Sequence, residues 1–410
     1  MTSVTAPPSP ATPALRGGAP APLTVEPVHL LFLVADTGGG HRASAEAVAR
    51  RLAAAHPGRF ATHVLDPFVQ ASPRVVGGIV GLYSPITRRA PWVWGAIYHA
   101  TNSRAVFGAL RGSALRLVEP GLTEVIATLR PSLVVSFHPL LNHAAARALR
   151  HQPGPRIPLA TVITDLVEVH AAWTCADVDA VVTSSPGGRD RARRAGVPAD
   201  RCHDLGLPVD DRFASPPPAG VARRALRQRL GLSPDRFTVL LSGGGEGSGG
   251  IARRARALLD AGLDIDVVAI CGRNARVHAN LDGLRAAHAN LHVLGFVTNM
   301  PEWLRAADLL VSKAGPGTIT EALCSRLPLL LTSHLPGQER GNIEFVVDTG
   351  AGRYVPRLRD LVDAVRELSA PGSPALVAMR ESLRHAARPH ATAQIADLVA
   401  RLATAPPAPR

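Results

Sequence analysis

The chain has 410 residues and a mass of 43.0 kDa, too long for one ordinary core and suited to two domains of about 100–200 residues each. Hydrophobic residues make up 46% and charged residues 19%, which excludes a largely disordered chain. The formal net charge of +13 favours an anionic partner (nucleic acid, an acidic membrane face or a phosphorylated substrate), and Lys313 is the single lysine, so arginine carries nearly all of it.

Residues 1–26, rich in Pro, Ala, Ser and Thr, read as a disordered lead without the basic-then-apolar pattern of a signal peptide. The apolar run 28–36 predicts a buried parallel strand, followed by a glycine turn and a helix over 41–55. Further strands are predicted at 61–65, 133–137, 159–164 and 180–184, with helical patterns between some of them. The proline-rich stretch 213–220 reads as a linker. A second alternating set then follows, with strands at 237–241, 265–270, 291–294, 309–311 and 329–332. The fold class is therefore α/β: two Rossmann-like domains, 27–212 and 221–372, facing each other across a cleft, with a helical segment at 373–410. Open α/β sheets bind ligands beyond the carboxyl ends of their strands, so the cleft is the expected site. Cys175, Cys202, Cys271 and Cys324 lie far apart, with no Cys/His cluster at ligand spacing, and no run of about 18 apolar residues occurs. The expectation is a cytoplasmic protein with no disulfide, structural zinc or membrane span.

Three glycine-rich turns each follow a predicted strand: 37–42, 242–247 and 314–318. Glycine lets the backbone approach a ligand closely, and a following helix aims free N–H groups at an anion. None has the lysine spacing of a P-loop or the acidic partner of a dinucleotide fold, which disfavours a P-loop ATPase and a nicotinamide enzyme.

The residues at these turns carry a resemblance. TGGGHRASAEA at 37–47, SFHPLLNH at 136–143, TDL at 164–166, HAAW at 170–173 and GLPV at 206–209 resemble the first lobe of the monogalactosyldiacylglycerol synthases. SGGGEG at 242–247, CGRN at 271–274, GFV at 295–297, KAGPGTITEAL at 313–323 and PGQERGN at 336–342 resemble the second. The wider group, glycosyltransferase family 28, includes the processive diacylglycerol glucosyltransferases and the lipid-linked N-acetylglucosaminyltransferase of peptidoglycan synthesis. The resemblance implies a GT-B enzyme whose second lobe binds a UDP-sugar and whose first lobe meets a lipid acceptor at an anionic membrane surface. It implies inversion in one displacement, without metal or cofactor. It also places the protein peripherally on the inner face of the cell membrane, with the helices of 373–410 crossing back to the first lobe.

The same resemblance assigns roles. His41, after Gly39 and Gly40, is the general base, a task suited to an imidazole with an ordinary pKa near 6.5; the alternative is a local hydrogen bond at a helix start. Asp36 either orients that ring or caps the turn, the turn being favoured. Backbone amides at Gly243, Gly244, Gly245, Gly315, Gly317 and Thr318 receive the departing diphosphate, with Lys313 either adding charge there or reaching solvent. Glu321 meets the ribose hydroxyls or simply favours the helix dipole. Gln338, Glu339 and Asn342 read the sugar. Arg273 and Phe296 lie near the phosphates or the uracil edge, unless Phe296 only packs. His138, His143, Asp165, His170 and Trp173 are candidate acceptor or sugar contacts.

Two D-x-D sequences, 177–179 and 264–266, have the form of a metal-holding pair but sit at strand entries, away from the cleft. Residues 73–112 break the α/β rhythm with Tyr83, Arg88, Arg89, Trp92, Trp94 and Tyr98, which suits an interfacial segment or a helical excursion packed on the first lobe. The reaction expected is transfer of galactose or glucose from UDP to diacylglycerol or a related lipid. The alternatives are N-acetylglucosamine transfer to a polyprenyl-linked precursor and nucleotide-sugar epimerisation. No nucleic-acid motif is present, and nucleic acid is not an expected partner.

Overall fold

A computed structural model describes residues 26–36, 39–71, 78, 81–112, 114–215 and 217–406. Residues 1–25 of the expected lead, Thr37 and Gly38 of the first glycine turn, most of 72–80 and Pro216 of the expected linker lie outside the described residues.

Two parallel sheets of six strands organise the chain. The first comprises β1 (Val28–Leu33), β2 (Phe60–Leu65), β3 (Leu133–Ser136), β4 (Leu159–Val162), β5 (Ala180–Thr183) and β6 (Cys202–Asp204), ordered β2-β1-β3-β4-β5-β6. The second comprises β7 (Phe237–Ser242), β8 (Ile265–Ile270), β9 (Leu291–Leu294), β10 (Leu309–Lys313), β11 (Leu329–Ser333) and β12 (Gly352–Tyr354), ordered β12-β11-β10-β7-β8-β9. The central strands are runs of Leu, Val and Ile because helices cover both faces, and nearly every one of their residues is buried. The edge strands β6 and β12 escaped the sequence reading. Cys-His-Asp and Gly-Arg-Tyr form no apolar run, and their strand character comes from pairing with β5 and β11.

Each sheet reverses its strand order once, and that is where a ligand crevice opens. In the first sheet the reversal lies between β1 and β3, and in the second between β7 and β10. The glycine turns that follow β1, β7 and β10 therefore fall at the two switch points.

The segment 373–406 divides between the lobes. Helix Pro374–Ala386 keeps Leu376, Met379 and Leu383 in the second-sheet cores. Helix Ala391–Thr404 instead packs Ile395, Ala396, Leu398 and Val399 against Leu30, Phe32 and Val34 of the first. Of the two helices only the last crosses, its apolar face completing the first-lobe core. The crossing is pinned at Arg388, whose guanidinium donates to both Asp204 carboxylate oxygens at 2.7 and 3.1 Å. Thr392 Oγ1 adds a bond from the Val209 N–H at 3.1 Å and one to the Val209 carbonyl at 2.6 Å.

Candidate active site

On the first-lobe side, Gly39 turns the chain at φ +80° and helix Gly40–Ala55 starts on the next residue. Its second residue, His41, points its Nδ1 to within 2.7 Å of Thr164 Oγ1. The His138 ring stands edge-on to it at 4.8 Å and Trp173 lies at 6.4 Å. Burial lowers the His41 pKa to about 4, against a smaller opposing pull from the Phe137 backbone, so the ring is neutral at neutral pH. That corrects the expected value near 6.5: desolvation disfavours the imidazolium. Asp36 does not reach His41. Its carboxylate takes Arg42 at 2.6 and 2.9 Å, and its N–H donates to Asp66, so it serves the turn.

Asp165 is buried between the lobes, and burial lifts its pKa to about 6. Trp173 Nε1 donates to it at 2.6 Å and Gln338 Nε2, from the second lobe, at 3.0 Å. His138 is buried with its pKa far below normal for the same reason, and its Nδ1 has no hydrogen-bond partner among the described residues. The fold itself uses the other first-lobe candidates. His143 is buried against the Phe107 ring, and Trp173 is fully enclosed. His170 accepts from the Ala172 N–H at 3.1 Å and bonds Thr101 at 3.2 Å. Of these three, Trp173 is the one whose ring lies beside His41.

On the second-lobe side, the loop after β7 folds back onto its own backbone. Gly247, at φ +58°, has the Cys271 carbonyl oxygen where a Cβ would stand, so no other residue fits. A Cβ on Gly245 would lie 3.3 Å from Arg273 and 3.8 Å from Phe296, and the Arg273 guanidinium sits 4.4 Å over the Phe296 ring. Phe296 is 54% exposed, so its ring is no part of the buried core. Gly243 and Gly244 precede these groups on the same loop, and Gly315, Gly317 and Thr318 open helix Pro316–Cys324 after β10.

The Lys313 side chain is half-buried and paired within the protein. Its Nζ donates to Glu339 Oε1 at 2.7 Å, and a Cβ on Gly315 would stand 3.0 Å from that ammonium. Glu339 is 4% exposed, and its second oxygen accepts from the Leu335 N–H at 2.8 Å. Both its oxygens are thus engaged within the protein, unlike the free sugar-reading acid expected. Asn342 is equally internal, donating to the Ala314 carbonyl at 2.9 Å. Gln338 remains at the cleft through its bond to Asp165. Burial pushes the Glu321 carboxyl up to about 8, and the charge of Asp210 pushes the same way.

Three neighbours of the site were missed from sequence. Thr164 stands inside a quoted motif but gave no sign of its bond to His41. Tyr98 read only as an interfacial aromatic. Arg254 is a buried cation that braces the glycine loop by donating to the Gly249 carbonyl and, at 3.0 Å, to the Thr332 carbonyl. The D-x-D acids lie at the opposite ends of β5 and β8, paired with arginines: Asp179 with Arg156 at 2.7 Å and Asp266 with Arg236 at 3.0 Å. Among the described residues no three His, Cys, Asp or Glu side chains gather as a metal cluster.

Two facing parallel sheets, with a half-buried histidine at one switch point and amide-rich glycine loops at the other, define a glycosyltransferase of GT-B architecture. Residues 41–209 match the family described as monogalactosyldiacylglycerol (MGDG) synthase, and residues 238–395 match the glycosyltransferase family 28 C-terminal domain. Monogalactosyldiacylglycerol synthase 1, chloroplastic, of Arabidopsis thaliana is 32% identical over 377 residues, covering 90% of this chain and 70% of the relative. The probable chloroplastic enzyme of Glycine max is 34% identical over 382 residues, with the same coverage. The chain belongs to the monogalactosyldiacylglycerol synthase family and is a UDP-sugar hexosyltransferase.

Solved structures share the fold at low identity. MurG of Acinetobacter baumannii superposes with a TM-score of 0.59 at 20% identity, covering 92% of this chain and 100% of that one. Anabaena HepE in complex with UDP and glucose gives 0.55 at 14%, covering 91% and 99%. These comparisons also overturn one expectation. The relatives are named as chloroplastic proteins, so the placement in the cytoplasm on the inner face of the cell membrane does not stand.

Proposed function

We propose that the chain transfers a hexose, galactose by analogy with its relatives, from a UDP-sugar to diacylglycerol at a membrane surface, inverting the anomeric centre. The observation that carries this reading is the Gln338–Asp165 hydrogen bond of 3.0 Å, which joins the second-lobe turn to the wall around His41. It puts a neutral imidazole and the loops at the β7/β10 switch point on two sides of one cleft. With Nδ1 held by Thr164, Nε2 takes the proton of the acceptor hydroxyl as that oxygen attacks the anomeric carbon. The leaving diphosphate meets backbone amides at Gly243–Gly245 and Gly315–Thr318, with Lys313 beside them. Charge developing on the leaving oxygen is met by donors already in place, so the step needs no cation.

The acceptor side has an apolar approach. Among the described residues ten large hydrophobic side chains are exposed, and six of them, Val69, Leu82, Trp92, Ile97, Val106 and Leu117, lie between 69 and 117. Trp92 is 74% exposed. The end of helix Pro91–Thr101, which carries Trp92 and Ile97, is tied to the His170–Trp173 turn: Thr101 bonds His170, and Asn102 Oδ1 accepts from the Ala171 N–H at 2.7 Å. A bilayer met by this face brings a headgroup-level hydroxyl toward His41. Among the described residues no helix is long and apolar enough to cross a membrane.

Glu321 gives the donor reading a pH dependence. At pH 7 its raised pKa keeps the carboxyl mostly protonated, whereas two ribose hydroxyls donating to it favour the ionised form. Donor binding then releases a proton, so UDP-sugar affinity rises with pH up to about 8, by at most about tenfold per pH unit. Glu321→Gln should flatten that dependence. Isothermal titration with UDP-galactose between pH 6 and 8, without acceptor, reads it; an unchanged slope in the variant removes the ribose role.

The function itself is tested with radiolabelled UDP-galactose, UDP-glucose and UDP-N-acetylglucosamine, offered with diacylglycerol vesicles and chelator. The expected product is a monohexosyl diacylglycerol of inverted anomeric configuration. Preference for UDP-N-acetylglucosamine, dependence on added manganese, or donor epimerisation without lipid would each overturn the reading.

A further inference from the structure

The turn between β11 and helix Arg340–Asp348 holds Gln338 and Glu339, and the first lobe grips it from two directions. From one side comes helix Pro91–Thr101. A Cβ on Gly95 would stand 2.8 Å from Pro336 Cβ, and a Cβ on Gly337, itself at φ +83°, would stand 2.7 Å from Tyr98 Cδ1. From the other side, a Cβ on Gly341 would meet Val167 and Glu168 at 2.9 Å, and Asp165 takes Gln338 Nε2. The glycines at 337 and 341 thus mark where first-lobe side chains press on second-lobe backbone.

Tyr98 is 6% exposed and its hydroxyl has no hydrogen-bond partner among the described residues, so its phenol is not kept there for a polar bond within the protein. What its ring does is occupy the space above Gly337 and stack edge-on against His170 at 4.9 Å, which fixes its angle. Asp165 and Glu168 carry negative charge near that phenol and Arg191 carries positive charge, while burial holds the hydroxyl neutral.

We propose that Tyr98 is a positioning residue for the donor sugar: its ring, seated on Gly337 from across the cleft, sets the turn that presents Gln338. This rests on the donor reading above. A first-lobe residue that touches no nucleotide group then governs affinity for the sugar half of the donor and leaves the UDP half alone.

The test measures KM for UDP-galactose and the inhibition constant of free UDP in the full chain. Tyr98→Ala is expected to raise the sugar-donor KM roughly tenfold with the UDP constant within about twofold of wild type. Tyr98→Phe, which keeps the ring, restores the KM. Gly337→Ala moves the turn from the other side and carries the test even where Tyr98→Ala does not fold. The two changes together should cost no more than the larger single effect, because they act on one contact. Equal rises in donor KM and UDP constant, or unchanged KM in both Tyr98→Ala and Gly337→Ala, overturn the proposal while the donor reading stands. A wild-type chain that no UDP-sugar saturates overturns both.

Discussion

His41→Ala is expected to lower kcat by about 10²–10⁴ while leaving the UDP-sugar KM within about threefold, since a general base acts in the transition state and the donor is held by the other lobe. The ring is placed for this by contacts that do not involve substrate: Thr164 Oγ1 at Nδ1, and His138 and Trp173 against its faces and edges. Burial gives it a pKa of about 4, below the 6.5 of a free histidine. The sign follows directly. Above about pH 4 the ring is neutral and able to accept a proton, so the acid limb of kcat/KM attributable to it lies near 4 and is absent in the variant. Stability carries the same sign. Between about 4 and 6.5 the unfolded chain binds a proton that the folded ring refuses, so this histidine's contribution rises with pH across that window and is lost as pH falls through it. His41→Ala removes that acid sensitivity. Steady-state kinetics on vesicles and urea melts from pH 4 to 7 check both; wild-type turnover in a variant that still binds UDP removes the base assignment.

What sequence could show of this site divides by distance along the chain. The strands were legible because a sheet covered on both faces must be written as apolar runs, and β8 and β9 emerge with the boundaries expected of them. The glycine turns were legible because a left-handed residue or a backbone close approach leaves a compositional mark. Partners are a different matter. Thr164 lies 123 residues from His41, and Glu339 lies 26 from Lys313, so neither pairing has a periodicity to betray it. Tyr98 shows the limit most sharply. Its helix is apolar throughout, a pattern that fits a membrane face and a lobe contact alike. Trp92 and Tyr98, on that one helix, turn out to serve one each: the first is exposed, the second is closed over by Gly337. The expected pKa of His41 failed for a related reason, since desolvation is set by the whole fold and not by neighbours in sequence.

Lys313→Met is expected to cut kcat/KM for the donor about 100-fold and to destabilise the chain by up to about 3 kcal/mol, through two separable causes. The first is electrostatic and local to the reaction. The ammonium sits over Gly315 at the N-terminal end of helix Pro316–Cys324, where the diphosphate's charge is proposed to develop, and methionine keeps the stem but removes the charge. The second is structural. Glu339 is buried with one oxygen on Lys313 and the other on the Leu335 N–H, so removing the ammonium leaves a carboxylate with half its partners. Lys313→Met with Glu339→Gln separates the causes. The amide needs no counter-ion, so the double variant should regain most of the stability, as urea melts will show, while kcat/KM stays low. Recovery of both would mean that the pair only holds the Leu335–Glu339 turn and that the diphosphate leaves without the lysine's help. The backbone amides at Gly243–Gly245 and Gly315–Thr318 would then stand as the whole of its reception.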